Sequence, residues 1–423
     1  MRNFKHMALC ATALCLASSP ALAGAPAKPQ PGDPISIGGG WTFDPMIEGR
    51  LRYENVDTPT VDADAVTMRL RAGFEVKQKS GFSFLAEGEG TLGIVKDYNA
   101  FPFAIASSQR RTQFATVADP QNVELNRLQM QYKTKAFTLT IGRQRINLDD
   151  QRFVGNAGWR QNEQTFDAVR GEAKVGPINV DATYSLSQRT IYGIDAAARQ
   201  GFGGDFVFLG AGAKLGPVNL KGFGYLLSYD ESIAFANSSQ TYGGRATTSL
   251  PLSKATKLNL TASYARQTSY ATNPVSYAAD YFAGEAGIAY KGLTVAGGYE
   301  QLGGDTAAHK SFQTPMATLH KFNGWADLFL TTPQTATFGG LQDLYGGATY
   351  KFANVKALPG LNAAVTYHRF ESDYGNFKYG NEWDASVGFK IRRMNLLAKY
   401  ADYSAKGFGV DTRKFWLQLE FAY

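Results

Sequence analysis

The chain has 423 residues, a formal net charge of +7, 13% aromatic residues, 45 glycines and a mean hydropathy of −0.25. That hydropathy excludes a bundle of membrane-spanning helices but not a membrane barrel, in which only alternate residues face lipid. No run of Lys and Arg reads as a nucleic-acid patch, so no nucleic-acid partner is expected.

Residues 1–23 read as a signal peptide. Arg2 and Lys5 give a positive start, Met7 to Ala17 an apolar run too short to span a bilayer, and Ala21-Leu22-Ala23 a small-x-small cleavage site. Cys10 and Cys15, the two cysteines, fall inside it, so the exported chain has no thiol chemistry. Residues 24–41 form a Pro/Gly-rich periplasmic lead-in, and residues 42–423 are expected to form one barrel domain.

From there the chain repeats alternating segments of about ten residues, the length a tilted strand needs to cross a membrane. Val66, Met68, Leu70 and Ala72 alternate with Thr67, Arg69, Arg71 and Gly73. Leu258, Leu260, Ala262 and Tyr264 do the same later, as do Trp383, Ala385, Val387 and Phe389. Short turns at 79–81, 176–177, 216–217, 291–292 and 392–393 are interleaved with long polar loops near 96–121, 146–163, 189–204, 230–239, 270–279, 302–340, 371–380 and 404–411. Alternation of short and long connections marks an outer-membrane barrel, with short turns in the periplasm and long loops outside. The fold class expected is all-β: a single transmembrane antiparallel β-barrel of about eighteen strands. The last segment, with Phe415, Leu417, Leu419, Phe421 and Tyr423 in alternation, ends on an aromatic residue, which resembles a barrel assembly signal.

A barrel of this size encloses an aqueous lumen that side chains alone cannot fill. The residues expected to face it are charged: Glu48, Arg50, Arg52 and Glu54 on the first strand, then Arg69, Arg71, Arg127, Arg170, Arg245 and Lys399. Guanidinium stays charged and its planar fork matches a carboxylate. In water each such contact is worth only about 1 kcal/mol, which suits transit better than retention. About half of these arginines are expected to brace the wall against Glu48, Glu54, Glu87, Asp149 and Asp150.

The densest charge lies in Phe137 to Arg170, where a strand (Phe137, Leu139, Ile141) leads into Arg143, Arg145, Asp149, Asp150, Arg152 and Arg160 before a second strand bearing Asp167 and Arg170. Buried, such a cluster requires partners or water, as in a loop folded into a wet channel. Continuing the strand's phase would aim Arg143 and Arg145 at lipid, at about 2–4 kcal/mol each in mid-membrane. Either Gly142 marks a bulge that flips the phase or the strand has already left the membrane. The longest loop, 302–340, carries Phe312, Phe322, Trp325 and Phe329 with His309, Lys310, His320 and Lys321, a composition suited to sugar rings at the mouth. The loop at 96–121, with Arg110, Arg111, Phe101, Phe103 and Phe114, is a candidate second lid.

Two motifs resemble the alginate export family of outer-membrane porins. One is Gly142-Arg143-Gln144 with Asp149-Asp150, Arg152, Val154-Gly155, Trp159-Arg160 and Phe166-Asp167. The other is Thr314-Pro315, Leu319 through Asp327, and Leu341-Gln342-Asp343-Leu344-Tyr345. The resemblance implies an arginine-rich lumen that passes an anionic sugar polymer. The candidate solute-contact residues are Arg69, Arg71, Arg145, Arg152, Arg160 and Arg170, oriented by Asp149, Asp150 and Asp167, with Trp325 and Lys321 from the long loop.

The function expected is passive export of an anionic polysaccharide such as alginate or its oligomers through the outer membrane. The alternatives are an uptake porin for a small anionic or aromatic nutrient and an adhesive barrel. Outer-membrane lipid, the anionic solute and periplasmic export components are the partners expected. No enzyme activity, cofactor or metal is expected: His309, His320 and His368 lack a nucleophile elbow, and Asp149-Asp150 lacks a cation-binding loop.

Overall fold

The computed structural model describes residues 33–423, so the expected signal peptide and the first half of the lead-in, 24–32, lie outside the described residues. Of the lead-in, Ile35–Gly38 forms a short strand that doubles back on Trp41–Phe43 through glycines with positive φ.

Eighteen antiparallel strands make the wall, each hydrogen-bonded to its sequence neighbours. The first, Trp41–Asp57, also pairs with the last, Thr412–Ala422, from Glu48 opposite Ala422 to Asp57 opposite Arg413. That pairing closes the cylinder. Closure is what hydrocarbon demands, because an open edge would leave backbone N–H and C=O groups without partners. The expected architecture is therefore present, and the loop positions agree with those read from the sequence to within a few residues.

Alternation along each strand sorts the side chains. On Asp62–Gln78, Met68 and Leu70 are exposed on the outside, while Thr67, Arg69 and Arg71 are buried within. Outward aromatics form two belts. Phe82, Tyr132, Phe137, Tyr290 and Tyr350 are exposed near the short turns, and Tyr184, Tyr242, Tyr264, Phe282 and Trp383 toward the long loops. Such belts sit at the two membrane–water boundaries.

The phase question at Gly142 is settled by register. Leu128–Arg143–Asp167 align across three strands without a shift at Gly142, so there is no bulge there. Shifts occur instead at Glu87/Gly88 and Asp167/Ala168 on neighbouring strands. Arg143 keeps the outward phase of Ile141, one residue from the end of its strand, and pairs with Asp167 at 2.8 Å. Gly142 is needed for another reason: its φ is 113°, and a Cβ there would lie 2.3 Å from the Leu128 carbonyl oxygen.

Candidate functional site: the charged lumen and its inserted loops

The extracellular half of the bore is occupied by two loops. The segment 145–164, which follows the strand Phe137–Gln144, turns inward, and 303–340 comes in from the opposite wall. They meet at a bridge between Val154 and Met316, with the Gly155 N–H donating to the Met316 carbonyl (2.9 Å). Thr318 donates its N–H to the Gln151 carbonyl and accepts from the Ala157 N–H, both at 3.1 Å. The loop at 96–121 behaves differently. Phe101, Ala115 and Val117 pack into a satellite cluster with Val56, Ala65 and Tyr98, so it is a self-packed cap and not a sugar-facing lid. Only its end enters the bore, where Asp119 meets Arg52 at 3.3 Å.

The lumen has two unlike arcs. One is aromatic: Phe206, Phe208, Tyr225, Tyr229, Tyr281 and Phe370 are buried against Phe312, Met316 and Phe329 of the long loop. The sequence reading of an arginine-rich lumen did not anticipate this arc, which is an apolar seat for the loops.

The other arc is ionic. Arg50 binds Glu420 and donates to the carbonyls of Gly158, Trp159 and Arg160 (2.8 to 3.1 Å). Arg69 binds Glu48, and Arg71 binds Glu89 while lying 3.4 Å from Glu48 and 3.5 Å from Glu163. Arg145, past the end of its strand and back on the inward side, binds Glu163 and reaches Glu87 at 3.1 Å. Glu163 is held well below the usual carboxylate range: burial opposes this, but Arg145 and Arg71 outweigh it. Arg160 pairs with Asp327 (2.7 Å) and lies 3.5 Å from Glu54. All of these guanidinium groups have carboxylate partners, and burial demands it, because an unpaired interior charge is costly.

The remaining candidate residues fall elsewhere. Arg152 crosses to the far wall, binding Glu300 (2.7 Å), Thr314 (3.2 Å) and Asn323 (2.9 Å). Arg170 stands lower, beside Glu172 at 2.9 Å, in a recess of about 370 Å³ that Lys133, Asp149, Asn179, Asp181 and Lys221 also line. Asp149 pairs with Lys221 (3.1 Å), while Asp150 pairs with Arg245 and also accepts the backbone N–H of Arg152 (3.2 Å). Asp167 is on the outer face with Arg143, because it shares the row of Val169 and Ile141. Lys321 donates to the Asp150 carbonyl at 2.8 Å.

Trp325 belongs to a cage that the sequence did not announce. The Lys399 ammonium lies 3.6 Å from the centre of the Trp325 ring, 4.0 Å from Trp159 and 5.4 Å from Trp416. It donates to His320 Nε2 (2.7 Å), and the opposite ring nitrogen faces Asp327 at 2.8 Å. Each such cation–π contact is worth about 0.5–2 kcal/mol. Glu382 and Asp384 complete the anchoring by accepting the backbone N–H groups of Ala326 (2.7 Å) and Trp325 (3.2 Å). Strand alternation made Lys399 and Glu382 legible as inward residues; nothing in the sequence showed which loop would meet them.

The family profile described as Alginate export matches residues 61–307. The chain belongs to the alginate export family. Among solved structures, this alginate-export-family barrel is similar to OccAB3 of Acinetobacter baumannii, with TM-score 0.70 and 15% identity over 90% of this chain and 99% of that one. It is similar to OpdK of Pseudomonas aeruginosa with vanillate (TM-score 0.67, 13% identity, 90% and 98% covered). It is also similar to OccK2 of the same organism in complex with glucuronate (TM-score 0.66, 14% identity, 90% and 97% covered). At these identities the likeness shows the fold. No curated protein matches in sequence. The fold and the family together make this chain an outer-membrane channel.

Proposed function

We infer that this channel passes anions passively and performs no chemistry, with an anionic polysaccharide such as alginate or its oligomers as the exported solute. The observation that carries the reading is the gathering of Arg50, Arg52, Arg69, Arg71, Arg127 and Arg145 on one arc of the lumen in a chain of this family. Their carboxylate partners temper the field, and at the more accessible Arg127 and Arg145 a passing carboxylate can exchange with a wall carboxylate without being retained. Arg69 keeps Nε and Nη1 without hydrogen-bond partners, donors that a polymer carboxylate can use when the loops shift. The test is the reversal potential of the purified protein in a planar bilayer under a salt gradient. Anion preference that falls in Arg71→Gln and Arg170→Gln supports the reading; a cation-selective pore defeats it.

A second reading, uptake of a small anion, is favoured by the two loops that fill the extracellular half of the bore and by the vanillate and glucuronate held by structural relatives. Flux of monomeric uronate without flux of an oligomer would select it.

A further inference from the structure

Charge is distributed unequally between the two ends of the barrel. Within two residues of the eight short connections stand fourteen Lys or Arg residues, all exposed, and no Asp or Glu. The connections at the opposite end mix both signs, with Asp57, Asp62, Asp230 and Glu231 beside Arg110 and Arg111. Short turns face the periplasm, so the periplasmic mouth is a polycation.

The arrangement is more specific than a basic rim. In six of the eight periplasmic hairpins a lysine near the end of the outgoing strand is paired with a small polar residue on the returning one. The pairs are Lys77 with Ser83, Lys133 with Thr138, Lys174 with Asn179, Lys214 with Asn219, Lys351 with Asn362 and Lys390 with Asn395. Each lysine continues an inward row: Lys77 that of Arg71, Lys133 that of Arg127, Lys174 that of Arg170 and Lys390 that of Asp384. The repeat therefore lines the inside of the mouth except at two adjacent hairpins, after Pro251 and after Tyr290, and turns away from lipid. Among the described residues Lys77 is tied to Glu75 (2.8 Å) and Asp44 (3.4 Å). Directly above the ring, the recess at Arg170 and Lys221 carries the positive lining inward, interrupted by Glu172, Asp181 and Asp149.

We propose that this ring of lysines and small polar partners is the receiving site for a hydroxyl-rich polyanion, a polyuronate segment, at the periplasmic mouth. The proposal rests on the anion-channel reading above and adds the end at which the polymer is captured. Ammonium groups in water attract carboxylates weakly and without fixed geometry, while the neighbouring Asn, Ser and Thr both donate to and accept from sugar hydroxyls. Several weak contacts around a circle hold a chain without locking any one residue, and the summed field raises the rate of arrival. The inward phase favours a lumen solute over the phosphates of the inner leaflet, which would need lysines on the outward rows.

The experiment uses the full chain in planar bilayers of neutral lipid and, in parallel, of lipid containing an anionic component, with a defined oligo-uronate added to one side at a time and blocking events counted. The fourfold variant Lys133→Gln, Lys174→Gln, Lys214→Gln and Lys390→Gln is compared with its Lys→Arg counterpart, each first shown to be folded by heat-modifiable migration. The association rate from the periplasmic side is expected to fall about tenfold in the Gln variant and to stay near wild type in the Arg variant. A neutral oligosaccharide of the same length should block far less often. The ring proposal is overturned if the Gln variant keeps the wild-type rate, if the neutral sugar blocks equally, or if the loss appears only in bilayers containing anionic lipid. Absence of block from either side in the unaltered protein overturns the polyanion reading of the channel itself.

Discussion

The His320 Nε2 and the Lys399 Nζ lie 2.7 Å apart inside a wall of three tryptophans, an imidazole accepting from an ammonium. The pair requires a neutral ring. Burial pushes His320 well below the ordinary imidazole value, Asp327 opposes, and Lys399 and Arg160 add to the lowering. When the long loop is unseated, His320 titrates at about 6.5; when seated, it resists protonation. The stability of the seated loop is thus complete above that value and declines as pH falls through it, because the unseated state binds the extra proton. Asp327, held well below its ordinary value by His320, Lys414 and Arg160 against the pull of burial, adds a loss in the same direction at lower pH. Current fluctuations should be more frequent at pH 5 than at pH 7.5 in wild type, and His320→Gln should flatten that dependence.

Arg152 holds the two loops to the far wall through Glu300, Thr314 and Asn323 while only 2% exposed. Removing one member of a buried pair strands the other, at about 3–5 kcal/mol. Arg152→Met should release the loops, seen as protease cleavage within 303–340 and as a rise in single-channel conductance. Unchanged protease resistance would mean that the apolar seat alone suffices.

Gly142→Ala places a methyl group against the Leu128 carbonyl in a backbone with φ of 113°. Strain of this kind costs about 1–3 kcal/mol. The folded, heat-modifiable fraction should fall on refolding into detergent, whereas Gly176→Ala, where no atom lies within 4 Å, should suffer only from its φ of 60°.

Asp167→Asn leaves Arg143 on the outer face without its partner. The cost of a bare arginine toward lipid is about 2–4 kcal/mol at the midplane and about 0–1 near the interface. Arg143 is one residue from the end of its strand, so the lower figure is expected. The measurement is the folding free energy in lipid vesicles; a loss at the upper figure would place this strand end deeper than the belts imply.

Much of the barrel was readable because period-2 alternation and the order of short and long connections are local facts. Met68 and Arg69 declare their faces without reference to the rest of the molecule. The site was less readable because it is made by long-range pairing. Asp150 was expected to orient the nearby arginines; it accepts the backbone N–H of Arg152, but its ion pair is with Arg245, 95 residues away in sequence. The phase of Phe137, Leu139 and Ile141 raised the question of an outward Arg143 but could not show that Asp167 would neutralise it, nor that Arg145 would leave the strand and return inside. The aromatic arc escaped notice for a similar reason. Phe206, Phe208 and Tyr225 alternate as any strand residues do, and only the inserted loop makes their row a dry one.

The Arg152–Glu300 link joins a loop rooted beside the fifth wall strand to the thirteenth, close to half the circumference away. It acts as a crossbar. A cylinder of eighteen ribbons held only by its rim can be squeezed toward an ellipse by the sideways push of packed acyl chains. A tie across the diameter resists that flattening, so the same ion pair that obstructs the passage also keeps its outline round.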